Sequence, residues 1–66
     1  MYLVLIKDSA QGHPYKTWIE VVPNKGIRRT TRRNRATRFQ FLENATSIAR
    51  LMTIYEADLK GVVVEL

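Results

Sequence analysis

The stretch ATRFQFLENATSIARLMTIYEADLKGVVVEL, residues 36–66, changes its hydrophobic period twice, and those changes decide the fold. Over residues 36–41 the side chains alternate, Thr37, Phe39 and Phe41 against Ala36, Arg38 and Gln40, which predicts a half-buried strand. From Leu42 the spacing becomes three and four. Leu42, Ala45, Ile48, Ala49, Met52, Tyr55 and Leu59 then fall on one face of an amphipathic helix. Glu43 and Asn44 stand in its first turn, where negative or capping groups are favoured, and Gly61 stands where a left-handed cap would end it. Residues 62–66, apolar except at Glu65, read as a further strand. Strand, helix and strand joined in this way form a right-handed crossover if the two strands lie parallel in one sheet.

Toward the N-terminus, residues 2–6 are apolar on both faces, Tyr2, Val4 and Ile6 on one and Leu3 and Leu5 on the other. A strand of that kind needs covering twice and belongs in the interior of a sheet. Residues 8–16, with Gly12 and Pro14 among polar side chains, form a loop. Residues 17–22 are a second strand, with Trp18, Glu20 and Val22 against Thr17, Ile19 and Val21, ended by Pro23, Asn24 and Gly26. Between residues 25 and 34 the only apolar side chain is Ile27, so this piece is a loop or a hairpin protruding from the body. The expected architecture is α+β in two layers: one helix on a four-stranded sheet, in the order β-β-β-α-β, as a single domain over residues 1–66.

A single helix covers one face of a sheet. Leu3, Leu5, Val63 and Trp18 then lack a cover on the other, and an apolar patch of that size is uncommon on a soluble monomer. Two solutions are open: a homo-oligomer that buries these four residues, or loops that fold back over them.

The 66 residues carry 11 Lys and Arg against 6 Asp and Glu, a net charge of +5, with one His and no Cys. At 45% apolar and 26% charged, the composition is that of a globular domain rather than a disordered chain. A fold this short buries only about 60% of the surface of its unfolded chain, and no disulfide or thiolate–metal site is available to staple it. The apolar start lacks a preceding basic region and is followed at once by Lys7 and Asp8, unlike an export signal, and nothing approaches the length of a membrane span. The expected location is the cytoplasm, with no membrane partner.

The excess charge lies in one place. Residues 25–38 contain Lys25, Arg28, Arg29, Arg32, Arg33, Arg35 and Arg38 with no acid, a local charge of +7, while the remainder of the chain sums to −2. Six of these seven are Arg, whose planar fork grips phosphate or carboxylate through paired hydrogen bonds. Thr30, Thr31, Asn34 and Thr37 add neutral groups of the kind that reach phosphate oxygens. The expected ligand is a nucleic acid, DNA or RNA, or another polyanion, held by a flexible or hairpin arm. A solvated loop without a ligand is the plainer reading of such a run. A basic helical stripe at Arg28, Arg29, Arg32 and Arg33 is disfavoured by Thr30 and Thr31.

Nothing points to catalysis or to a cofactor. His13 is the only imidazole and stands in a Gly-His-Pro turn, so no transition-metal cluster can form around it. The carboxylates form no motif, and Gly12, Gly26 and Gly61 are isolated rather than gathered into a phosphate loop. Tyr15 and Trp18 beside Lys16 could stack on bases, although membership of the sheet or of an interface accounts for Trp18 equally well.

Ala36-x-x-Phe39, the helix with Glu43, Ala45 and Ala49, and the ending Gly61-Val62-Val63-Val64-Glu65-Leu66 together resemble the ends of small accessory proteins encoded by bacteriophages and prophages. The resemblance implies a non-catalytic protein, active in the bacterial cytoplasm, that binds and redirects host or phage machinery, including inhibitors of host defence. Its partner would then be an acidic host protein rather than a nucleic acid. The Arg cluster lies outside the shared pattern, so no functional residue is carried over.

Overall fold

A computed structural model describes residues 1–8, 15–55 and 59–66, with the backbone alone for Asp8, Tyr15, Ile54 and Tyr55. The expected turn at His13 and the carboxylates Glu56 and Asp58 lie outside the described residues. The chain forms strands β1 (Tyr2–Asp8), β2 (Tyr15–Val22) and β3 (Gly26–Thr30), a 3-10 turn (Arg33–Arg35), helix α1 (Leu42–Tyr55) and strand β4 (Leu59–Glu65). The sheet order is β3-β2-β1-β4 with every neighbouring pair antiparallel, and one helix packs on it. The β-β-β-α-β order and two-layer architecture are those expected, and β1 is interior, as its two apolar faces require.

The identity of the third strand differs from expectation. It is residues 26–30, in the basic segment, while residues 36–41 contribute only an isolated bridge, Tyr2 to Phe39. The cause is the path of β2. It pairs with β1 from Tyr15 to Trp18 and with β3 from Trp18 to Val22, so a gap opens between β1 and β2 beyond Leu5 and Trp18. The segment around Thr37 fills it: the Thr37 N–H donates to the Ile19 carbonyl at 3.0 Å, and Phe39 exchanges two 2.8 Å backbone hydrogen bonds with Tyr2. The Ile19 carbonyl and both backbone groups of Tyr2, left without a strand partner by the divergence, are thereby satisfied. The alternation persists across this wedge, with Phe39 packed toward the helix side, but it fails at Phe41, which is exposed.

The segment around Phe39 and β4 both run antiparallel to β1, on its two sides, so they run parallel to each other with α1 joining them, as the expected crossover requires, while β3 runs antiparallel to β4. Leu59 belongs to β4 rather than to the helix and is buried. Gly61 is not a helix cap; it pairs with Ile6 in mid-strand. Its lack of a side chain serves packing instead, since a Cβ there would collide with the Ala49 carbonyl oxygen and lie 2.7 Å from the Ala49 Cα. Ala49 and Gly61 are the point of close helix–sheet approach. The Thr53 hydroxyl ties the same corner, donating to the Ala49 carbonyl at 3.0 Å and accepting from the Gly61 N–H at 3.1 Å.

Val4, Ile6, Ile19, Ala45, Ala49 and Leu59 form the core between sheet and helix, with Ile48, Met52 and Val63 packed at its margin. Val63 pairs with Val4 and therefore faces the helix; the residues that share the far face with Leu3 and Leu5 are Val64, Val62 and Trp18. That far face is not bare. Leu3 and Leu5 are 3% and 9% exposed within the single chain, since the segment after β3 folds back beneath them. Of the four residues expected at a self-association contact, Leu3 and Leu5 are thus used inside the fold and Val63 lies on the helix face, while Trp18 stays half-buried on the far face. Helix α1 lies over β1 and β4, so open apolar surface occurs on the helix side of β2 and β3, where Val21, Ile27 and Leu51 are each about 40% exposed.

Candidate functional site

The basic segment begins at a tight turn. Pro23 supplies a fixed φ, Asn24 takes φ 64°, and the Lys25 N–H donates to the Val22 carbonyl at 3.0 Å, the arrangement of a type II turn. Gly26 follows at φ 92°, a conformation that costs a residue with a side chain. The turn sets Lys25 at the hairpin tip and starts β3 against β2.

On β3, successive side chains leave on opposite faces. Arg28 stands opposite Glu20 and its Nε donates to Oε1 at 2.8 Å, the one ion pair among the described residues. Arg29 points to the helix side, where its Nε donates to the hydroxyl of buried Thr17 at 2.9 Å. Two of the seven cations are thus partly committed to the sheet.

The chain then turns under the far face. The Thr30 hydroxyl accepts from the Arg32 N–H at 3.2 Å, and the 3-10 turn is closed by Arg35 N–H to Arg32 carbonyl and Ala36 N–H to Arg33 carbonyl, both 3.1 Å. Arg33 lies over the Trp18 ring, 5.7 Å from its centroid. Trp18 is half-buried, and its Cα partner on β1 is Leu5. Ala36 is buried, and Thr37 fastens the chain to β2 through its N–H and through its hydroxyl, which accepts from the Val21 N–H at 2.7 Å. Of the flexible or hairpin arm expected, the structure forms the hairpin: the segment is edge strand β3 paired with β2, followed by a strap anchored at Thr37 and Phe39.

Arg32, Arg33, Arg35 and Arg38 are exposed on this strap, and no carboxylate among the described residues lies within ion-pair distance of them. Arg33, Asn34 and Arg38 line a cleft of about 310 Å³ together with Leu3 and Leu66. Guanidinium groups carry only donors, so the cleft offers an acceptor-rich anion two forks beside a carboxamide. The side chain of Tyr15, the other expected stacking residue, lies outside the described set.

Sequence reading gathered the cations but not the residues that place them. Glu20, Thr17 and Thr37 engage Arg28, Arg29 and the strap through pairings distant in sequence, and nothing in their immediate neighbours announces it. The signal for β3 itself was present in the Pro23-Asn24-Lys25-Gly26 turn joining Val22 to Ile27.

No group of three His, Cys, Asp or Glu among the described residues could hold a metal ion, and no helix there is long and apolar enough to cross a membrane. No family model, curated protein or solved structure matches the chain.

Proposed function

We propose that the protein is a non-catalytic module that binds a polyanion, with nucleic acid as its ligand and the strap of Arg32, Arg33, Arg35 and Arg38, extended by Lys25, as its contact surface. The observation that carries this reading is four exposed guanidinium groups without carboxylate partners on a segment held to the sheet at Thr37 and Phe39. Fixed cations of one sign attract phosphate at long range and lose less entropy on binding than a free arm does. Neutralising about five phosphates on duplex DNA gives a slope of log K against log salt near −4.5. Replacing Arg32, Arg35 and Arg38 together by Ala abolishes most of that slope while the far-ultraviolet spectrum stays unchanged. Undiminished binding by the triple variant defeats the reading.

A second reading has its own observation. Val21, Ile27 and Leu51 form an open apolar strip beside basic β3, a combination suited to an acidic protein surface and to the phage-type inhibitor or adaptor of the bacterial cytoplasm implied by the resemblance. A single protein retained from nuclease-treated bacterial lysate, without a gel shift of DNA or RNA, favours it over nucleic acid.

A further inference from the structure

We propose that the ligand is single-stranded: the cleft of Arg33, Asn34 and Arg38 is a phosphate subsite, and Trp18 is the stacking surface for the adjoining base once Arg33 leaves the indole for the phosphate. The proposal rests on the polyanion reading and specifies its ligand. Three observations meet here. The cleft, about 310 Å³, brings two guanidinium groups and a carboxamide to an apolar floor that includes buried Leu3. No carboxylate among the described residues lies within ion-pair distance of Arg33 or Arg38. Arg33, which lines the cleft, is also the residue that covers Trp18.

A cation over a partly exposed ring is held more weakly than a guanidinium that grips a phosphate through two charged hydrogen bonds. A phosphate entering the cleft therefore draws Arg33 toward itself. The indole face that Arg33 releases is apolar and adjoins the cleft, and an unpaired base recovers the lost contact by stacking on it. Within a duplex the second contact is not available, because the base faces are stacked on one another and only base edges and backbone are presented. Asn34 adds a donor and an acceptor without charge, so its contribution is separable from Coulomb attraction.

Trp18 is the only tryptophan, so its emission reports the proposed event directly. The test titrates the protein with a fluorescently labelled homopyrimidine DNA strand, its RNA counterpart and a blunt duplex of equal length, at one salt concentration, following label anisotropy and Trp18 emission together. The expected result is quenching of Trp18 by the single strands and not by the duplex, with single-strand affinity about tenfold higher. Asn34→Ala lowers strand and duplex affinity alike, because a phosphate of either reaches the cleft, and Arg35→Ala, outside the cleft, does the same through the strap, so neither changes the strand-to-duplex ratio. Trp18→Leu removes the preference for single strands, and Trp18→Phe, which keeps an aromatic face if the Leu variant fails to fold, retains part of it. Equal binding of strand and duplex with unchanged emission overturns the subsite and leaves the polyanion reading standing. Binding of neither overturns both. A difference between the DNA and RNA strands supports the subsite and identifies the sugar it accepts.

Discussion

The Thr37 hydroxyl accepts a 2.7 Å hydrogen bond from the Val21 N–H, a contact that spans 16 positions of sequence and fastens the arginine strap to β2. The bond occupies the place where β2 has left β1 for β3, and it converts a run of cations into a surface of defined shape. Thr37→Val removes the acceptor at nearly constant volume and is expected to cost about 1 kcal/mol in urea unfolding. It also raises amide exchange over residues 33–38, and Thr37→Ser restores both. Unchanged exchange in the Val variant means the strap is held elsewhere.

Glu20 restrains one of the cations. Glu20→Gln releases Arg28 from its ion pair and is expected to tighten polyanion binding and steepen the salt slope by about one, while changing stability by less than about 1 kcal/mol. Arg28→Ala alone affects the slope less than Arg32→Ala does. Salt titrations of the three variants check the order, and a weaker-binding Glu20→Gln contradicts it.

Gly61→Ala places a methyl group against the Ala49 main chain and forces α1 away from β4, with an expected cost of about 1–3 kcal/mol. Because the clash is with backbone atoms, adding Ala49→Gly does not restore stability. Thermal unfolding of the single and double variants decides this, and rescue by the second change shows that the side chain, not the main chain, sets the approach.

Leu3 separates the two accounts of the far face. Buried within one chain, its replacement by Ala is expected to cost about 2–5 kcal/mol with no change of mass in sedimentation equilibrium. A fall in mass with little loss of monomer stability would instead place Leu3 between two copies.

Local pattern carried much of this fold. The doubly apolar residues 2–6 determine an interior strand because either exposed face would be penalised, and the three- and four-residue spacing of Ala45, Ile48, Ala49 and Met52 determines a helix laid on that strand. The location of the +7 charge, and the classes of partner it attracts, likewise follow from composition. Tertiary structure alone decided the rest. An edge strand is bonded on one side and needs no apolar alternation, so beyond the turn at Pro23-Asn24-Lys25-Gly26 nothing marked β3 among its arginines, whereas the regular alternation of residues 36–41 served a wedge between diverging strands. Which cations are engaged by Glu20, Thr17 or Trp18, and which remain exposed above Leu3, depends on strand register and on the return path of the strap. Those contacts join residues from 8 positions apart, Glu20 and Arg28, to 37, Tyr2 and Phe39, a range over which hydrophobic period and charge count carry no information.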